Sequence, residues 1–160
     1  MKKNVTITLY MSELIYDIQN KTYLKGRSKV DTDPAKVAYM QANDDDENLN
    51  QVLRSIGGAY GSLKSELSEY IEEHASTGTN VLQPNENIVV VLNMPCNFNE
   101  AAVSVVSEGL HKYIVNTAIA EWFDLTSTED SQNYAKQATE NMKEVRDGIN
   151  KRLRPVRTNI

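Results

Sequence analysis

The chain has 160 residues and a mass of 18.0 kDa, which suits a single domain with one hydrophobic core. Its net charge of −5 and isoelectric point near 5.1 argue against a surface built as a whole for nucleic acid, which needs many cations facing phosphates. A single cysteine, Cys96, excludes an intrachain disulfide and a thiolate-rich metal site. No apolar run approaches the roughly 20 residues that span a bilayer as a helix, so we expect a soluble, non-secreted protein without a membrane partner.

The N-terminal region predicts a strand followed by a helix. Apolar and polar residues alternate from Val5 to Leu9, which is the pattern of a short half-buried strand. Ser12 has the character of an N-cap, and a helix is predicted from Glu13 to about Lys21, with Gly26 breaking the pattern.

The middle of the chain predicts two helices. Asp33 before Pro34 is a helix-start signal, so a short helix to about Ala42 is expected. A second, long helix is predicted because apolar residues recur at alternating steps of four and three, at Leu49, Leu53, Ile56, Tyr60, Leu63, Leu67 and Tyr70. Its interior glycines, at positions 57, 58 and 61, weaken it, so we expect a bend or a close helix crossing there.

A loop and a second strand follow the long helix. The stretch from Ser76 to Asn87 is rich in Ser, Thr, Gly, Asn and Pro and is typical of an exposed loop. The run from Ile88 to Leu92 is unbroken and apolar, which predicts a strand buried on both faces and ended by Pro95. Pairing of this strand with the N-terminal strand is expected.

Two long helices are predicted in the C-terminal half. Asn97 with Glu100 has the spacing of a capping box and opens a helix to about Phe123. Thr126 with Glu129 repeats that spacing and opens a helix to about residue 154. The apolar positions are 103, 106, 110, 114, 118 and 122, widened by 105, 115 and 119, in the first helix, and 134, 138, 142, 145, 149 and 153 in the second. The short connection predicts an antiparallel hairpin. The expected fold is therefore mainly α, a helical bundle with a long C-terminal antiparallel helical hairpin plus a small two-stranded β element.

The sequence contains no recognisable catalytic or metal-binding constellation. His74 and His111 are isolated from each other and from Cys96, which we expect to be a buried structural thiol. The acidic stretch near residue 44 lacks the glycine and the final glutamate of a calcium loop, and the Gly57-Gly58 region lacks the Lys-Ser/Thr pair of a phosphate loop. We therefore predict a protein that is not an enzyme and has no cofactor and no metal.

The C-terminal run is the one basic segment of an otherwise acidic chain. Lys151, Arg152, Arg154 and Arg157 are suited to docking on carboxylates or phosphates, and they are the predicted partner-contacting residues. The alternative, helix C-cap electrostatics and solubility, stays open, although Arg157 lies beyond Pro155, where the effect of the helix dipole has faded.

Several segments resemble a known class of proteins. They are the run from His111 to Trp122-Phe (HKYIVNTAIAEWF), the segment Ser127 to Tyr134-Ala, the basic run Lys151 to Arg157 (KRLRPVR), and the N-terminal segments Leu14 to Ile18 and Lys21 to Gly26. Together they are similar to small structural proteins of tailed phages and prophages of gut Bacteroidales, including crAss-like phages. The resemblance touches both ends of the chain.

This resemblance implies a virion neck protein without an enzymatic site. Residues 1–150 would form a connector-like helical domain and residues 151–160 a basic tail. The subunit would form a head-to-tail connector ring of about twelve copies to match the portal, contacting the portal and other neck or tail proteins. The tail would meet the portal, a neighbouring copy or genomic DNA in the channel, and the ring would assemble in the host cytoplasm. The alternative is a cytoplasmic regulatory or adaptor module that binds a protein or nucleic-acid partner through the same tail.

Overall fold

A computed structural model describes residues 1–28, 34–35, 41–42, 45–72 and 82–157 of the chain. Its elements are β1 (Lys2–Leu9), α1 (Met11–Ser28), α2 (Asp46–Glu66), β2 (Ile88–Pro95), a 3-10 helix (Glu100–Ala102), α3 (Val103–Thr126) and α4 (Thr128–Ile149). The fold is mainly α, with a C-terminal helical hairpin and a two-stranded antiparallel sheet, as the sequence predicts. Of the predicted helix from Pro34 to Ala42, the structure describes residues 34–35, which are helical, and residues 41–42. Residues 36–40, and residues 76–81 of the predicted loop, lie outside the described residues.

The sheet has the predicted pairing but not the predicted burial. β1 and β2 are antiparallel, with Val5 opposite Leu92 and Leu9 opposite Ile88. The expectation that β2 is buried on both faces is wrong, because its burial alternates and the side chain of Val89 is 49% exposed. Its inward side chains, at alternate positions, join the core. Helices therefore cover one face of this sheet, and β2 behaves as a half-buried antiparallel strand.

Helix α1 begins earlier and ends later than predicted. Ser12 does not cap it, because the backbone carbonyl of Tyr10 accepts the first amides, from Glu13 and Leu14, each at 3.1 Å. The amide of Met11 instead donates to Oδ1 of Asn87, a distant residue, at 3.1 Å. The helix continues through Gly26, which is buried. Burial and long-range hydrogen bonding thus outweigh the local glycine signal.

Helix α2 runs through its glycines without interruption, from Asp46 to Glu66. Burial of its apolar stripe compensates for their low helix propensity. A methyl group added at Gly61 would meet nothing within 4 Å, so no close helix crossing occurs at that position. The helix ends four residues before the predicted Tyr70, because the chain turns to place Ile71 in a β-bridge opposite Leu92.

The two helices of the hairpin, α3 and α4, approach each other closely at two glycines. A Cβ added at Gly109 would lie 2.6 Å from Cγ2 of Val145, and one at Gly148 would lie 2.8 Å from Cγ2 of Val106. Both distances are below any normal carbon contact, so glycine is what allows the two helices to pack this closely. Helix α3 contacts α1, α2, α4 and the sheet, which makes it the centre of the core, as predicted. Val105, which was predicted to widen the apolar face of this helix, is an exception, because its side chain is 52% exposed.

The predicted helix boundaries near the hairpin are shifted. Asn99, not Asn97, caps the 3-10 helix, because its Oδ1 accepts from the amide of Ala101 at 3.1 Å. The capping box predicted at Thr126 and Glu129 is displaced by one residue. Ser127 is the N-cap residue of α4, and its Oγ donates to Asp130 at 2.8 Å. Helix α4 ends at Ile149 instead of reaching residue 154, because the following residues leave the helix to pair with another segment.

Candidate interaction surface at the C-terminal arm

The basic run leaves α4 as an extended arm, residues 151–157, that is fixed at its base. Arg152 forms an isolated antiparallel bridge with Phe98. The amide of Asn99 donates to the carbonyl of Lys151 at 3.1 Å, and the amide of Leu153 donates to the carbonyl of Asn97 at 2.9 Å. Phe98 is 2% exposed and therefore ties this pairing to the core. The direction in which the arm leaves the domain is thus set by the fold.

The four predicted partner-contacting residues do not share one role. The guanidinium of Arg152 donates from Nη1 to the carbonyl of Ile149 at 2.7 Å and to that of Lys151 at 3.1 Å. It therefore supplies a donor to the carbonyl of Ile149, the last residue of α4, which has no partner within the helix. This is the helix C-cap role that the sequence left open, and the structure assigns it to this one arginine.

Beyond the base, the arm presents both apolar and charged groups to solvent. Leu153 is 56% exposed and Val156 is 90% exposed. Arg154 and Arg157 are exposed and make no ion pair with any residue in the described part of the chain. A surface with exposed aliphatic side chains between arginines has the means to bind both an apolar pocket and carboxylates or phosphates.

The arm and the rest of the chain differ in charge. Residues 151–160 contain four basic and no acidic residues, so they carry +4, and the whole chain carries −5. The remaining 150 residues therefore carry −9. The arm is complementary in charge to the body of another copy of the same chain, and the body repels nucleic acid.

A second feature is an open groove of about 560 Å³ between the end of β1, helix α1 and the N-terminal half of α3. His111, isolated in the sequence, lies here, and its Nε2 is 2.6 Å from Oδ2 of Asp17. Glu108 forms a 2.8 Å ion pair with Lys112, and the hydrogen bond from Lys112 lowers the pKa of the Glu108 carboxyl. The hydrogen bond between His111 and Asp17 joins α1 to α3.

Other predicted residues are distributed separately. Cys96 is exposed, so the prediction of a buried structural thiol is wrong; it lies in the turn after β2, where the chain leaves the sheet. His74 lies outside the described residues. Among residues the structure describes, no group of three or more His, Cys, Asp or Glu side chains is placed to hold a metal ion.

Sequence reasoning located the arm but missed its anchor. Residues 97–99, which pair with the base of the arm, were interpreted as a helix cap. A single β-bridge between residues more than 50 positions apart leaves no pattern in either short segment from which it could be predicted. The partial signal was Pro155, which cannot continue a helix and indicates an extended segment before it.

No family model, no curated protein and no solved structure matches the chain. In the described part of the chain, the helices are too short or too polar to cross a bilayer.

Proposed function

We propose that the chain is a structural subunit of a tailed-phage virion and forms a head-to-tail connector ring between the portal vertex and the tail. The observation that carries the proposal is the arm, which is held at its base and exposes Leu153, Arg154, Val156 and Arg157. The resemblance of both chain ends to neck proteins of tailed phages supports the same proposal.

The composition of the arm suits docking on protein. Arginine is enriched at protein interfaces, because its planar guanidinium binds carboxylates through two hydrogen bonds and packs on apolar surface. Leu153 and Val156 supply apolar groups that gain from leaving water. Because the fold already fixes the arm at Leu153, docking orders fewer residues than it would for a free tail.

A ring needs an interface of two different surfaces. Neighbours in a cyclic ring are related by rotation, so one surface of each copy meets a second, different surface of the next. An arm of charge +4 and a body of charge −9 meet this requirement electrostatically. The arm in this proposal contacts the portal, another neck or tail protein, or the adjacent copy, in a ring of about twelve copies that matches the portal.

The alternative function is a cytoplasmic regulatory or adaptor module that uses the same arm. If its partner is DNA, the logarithm of the affinity falls with the logarithm of salt concentration, with a slope of about −0.9 for each phosphate contact. A monomer or small dimer that binds DNA in this way, and is absent from particles, would favour the alternative.

Incorporation into particles tests the role of the arm. In a phage or prophage that encodes the chain, the double variant Arg154→Ala/Arg157→Ala should fold normally and be depleted from the neck, because it loses the two exposed arginines beyond the base of the arm. The matched control is Lys136→Ala/Lys143→Ala, which removes two exposed cations from α4. Incorporation of the arm variant at the wild-type level would contradict the proposed role of the arm.

A further inference from the structure

Among the residues that the structure describes, the sheet has an open edge formed by β1. On the far side of β2, the carbonyl of Tyr70 accepts from the amide of Asn93 at 2.6 Å, and the carbonyl of Val91 accepts from Glu72 at 3.0 Å. β2 therefore lies between β1 and the segment around Ile71, and β1 lies on the outside.

The backbone groups on that open edge follow from the alternation of an antiparallel ladder. Because Val91 and Asn93 direct their backbone groups away from β1, their neighbours at even positions of β2 pair with odd positions of β1. The amides and carbonyls of Asn4, Thr6 and Thr8 consequently point outward. Within the described ranges, no backbone hydrogen bond uses them.

Edge strands are normally protected by proline, by charged residues, by bulges or by a covering segment, because an open ladder binds other strands. From Asn4 to Leu9 the sequence of β1 contains no charge, no proline and no glycine. The side chains on the solvent-exposed face of β1 include those of Thr6 and Thr8, and threonine favours strand conformation. This edge is therefore ready to accept a further strand.

We propose that this edge binds β1 of a second copy, antiparallel, about a two-fold axis at Thr6. The inference goes beyond the connector function. Two-fold pairing joins identical surfaces, whereas neighbours in a ring join different ones, so the β1 pair is a contact of the free subunit before assembly.

The register at Thr6 is self-complementary. Thr6 lies opposite Thr6 of the second copy, Asn4 opposite Thr8, and Lys2 opposite Tyr10. No like charges face each other, and cross-strand threonine pairs stabilise sheets. The outward amides and carbonyls at positions 4, 6 and 8 would form about six hydrogen bonds between the copies.

The groove beside β1 adds charge complementarity. Thr8, Leu9 and Tyr10 line it, together with three carboxylates, the two lysines at positions 21 and 112, and His111, which leaves a formal charge of −1 with histidine counted as neutral. Of those carboxylates, Glu13 has no ion-pair partner among residues that the structure describes. In the proposed register, Lys3 of the second copy lies opposite Leu9, at this groove. Its present ion pair with Glu100 is exposed, contributes little, and is readily exchanged.

Site-directed cross-linking tests the register directly. In the full chain with Cys96→Ser, the variant Thr6→Cys should form a disulfide-linked dimer under mild oxidation. Residues in a hydrogen-bonded pair have Cα atoms about 5.5 Å apart, within the range of a disulfide. The matched control is Thr139→Cys, an exposed threonine on α4. We expect cross-linking at position 6 to be about tenfold faster or more, because pairing raises the local thiol concentration. Equal rates would overturn the proposal.

A backbone variant tests the edge independently of side-chain chemistry. Thr6→Pro removes the outward amide and leaves the ladder with β2 intact, because position 6 does not donate to β2. Losing both hydrogen bonds at the two-fold axis should raise the dimer dissociation constant about tenfold, measured by analytical ultracentrifugation. Thr6→Val keeps the amide and should dimerise like wild type. A dimer unaffected by Thr6→Pro, or a wild type that stays monomeric, would overturn the proposal.

These results are separable from those for the connector function. The β1 pair is measured on the purified chain, and ring formation is measured on particles. A chain found in the neck without Thr6 cross-linking supports the connector and rejects the β1 pair, and cross-linking without incorporation does the reverse.

Discussion

The α3–α4 hairpin and the arm that follows it are adjacent in the chain but differ in where their groups find partners. In the hairpin, the helices approach so closely that Gly109 and Gly148 have no room for a methyl group. In the arm, two backbone hydrogen bonds fix the base, and the residues beyond it project apolar and cationic groups into solvent.

Because of this difference, we expect substitutions in the hairpin to change the stability of the subunit and substitutions in the arm to change binding to a partner. Residues of the hairpin gain free energy from burial within the subunit, so their substitution should affect unfolding. Residues beyond the base of the arm are exposed, so their substitution should change the free energy of unfolding little. Arg152 belongs to the first group despite its position, because its guanidinium hydrogen-bonds carbonyls of its own chain.

The largest effect is expected where the hairpin is most buried. Phe123 is 0% exposed, and its ring centroid lies 5.5 Å from that of Tyr134. Phe123→Ala should lower the free energy of unfolding by about 3–5 kcal/mol, because it leaves a cavity. Leu125→Ala, at a side chain that is 74% exposed in the same helix, should change it by less than about 0.5 kcal/mol. Urea unfolding of both variants checks the contrast, and equal losses would show that burial does not divide the hairpin in this way.

A pair of glycine substitutions sharpens the packing claim. Gly109→Ala should destabilise the protein by about 1–3 kcal/mol, since its Cβ would overlap the rigid Val145 side chain. Gly61→Ala, in open space on α2, should instead stabilise it by about 0.4–1 kcal/mol, because alanine restricts the unfolded chain. The measurement is the midpoint of thermal unfolding, and a stabilising Gly109→Ala would contradict the close helix approach.

Arginine substitutions test where the base of the arm ends and its free part begins. Arg152→Ala should cost about 1 kcal/mol of stability, because the carbonyl of Ile149 at the end of α4 loses its donor. Arg154→Ala should leave stability within about 0.5 kcal/mol of wild type, since that side chain is exposed and unpaired in the described part of the chain. If chemical denaturation shows the reverse order, the boundary is misplaced.

The smallest effect concerns alkaline pH. Burial raises the pKa of Tyr113 and of Tyr134 above the ordinary value of 10.0. Above about pH 10 the unfolded chain therefore binds fewer protons than the folded one, and stability falls as pH rises through the folded-state pKa values. Tyr113→Phe with Tyr134→Phe should flatten this loss in unfolding experiments between about pH 9 and pH 11. An identical pH dependence in wild type and double variant would contradict it.

Much of the fold is predictable because its signals are local and periodic. The alternation from Val5 to Leu9 and the apolar stripes of α2, α3 and α4 all produce the elements they predict, and the strand pairing is confirmed. The errors occur where contacts between residues distant in sequence determine where an element begins or ends. The side chain of Asn87 accepts a hydrogen bond from the first amide of α1. Ile71, just beyond the end of α2, forms a β-bridge with the sheet, and Phe98 forms one with Arg152.

The candidate interaction surface was predictable in composition but not in geometry. The charge contrast identified Lys151, Arg152, Arg154 and Arg157, and only the hydrogen bonds show that one of these arginines caps its own helix. The open edge of β1 has no sequence signature of its own, because it depends on which side of β2 the segment around Ile71 occupies.

Cryo-electron microscopy of phage particles that encode this chain tests the proposed function most directly. We predict a ring of about twelve copies between portal and tail, with the arm seated against a neighbouring chain. Intact particles that lack the chain, shown by the map and by mass spectrometry of the same preparation, would contradict the connector proposal and favour the adaptor module.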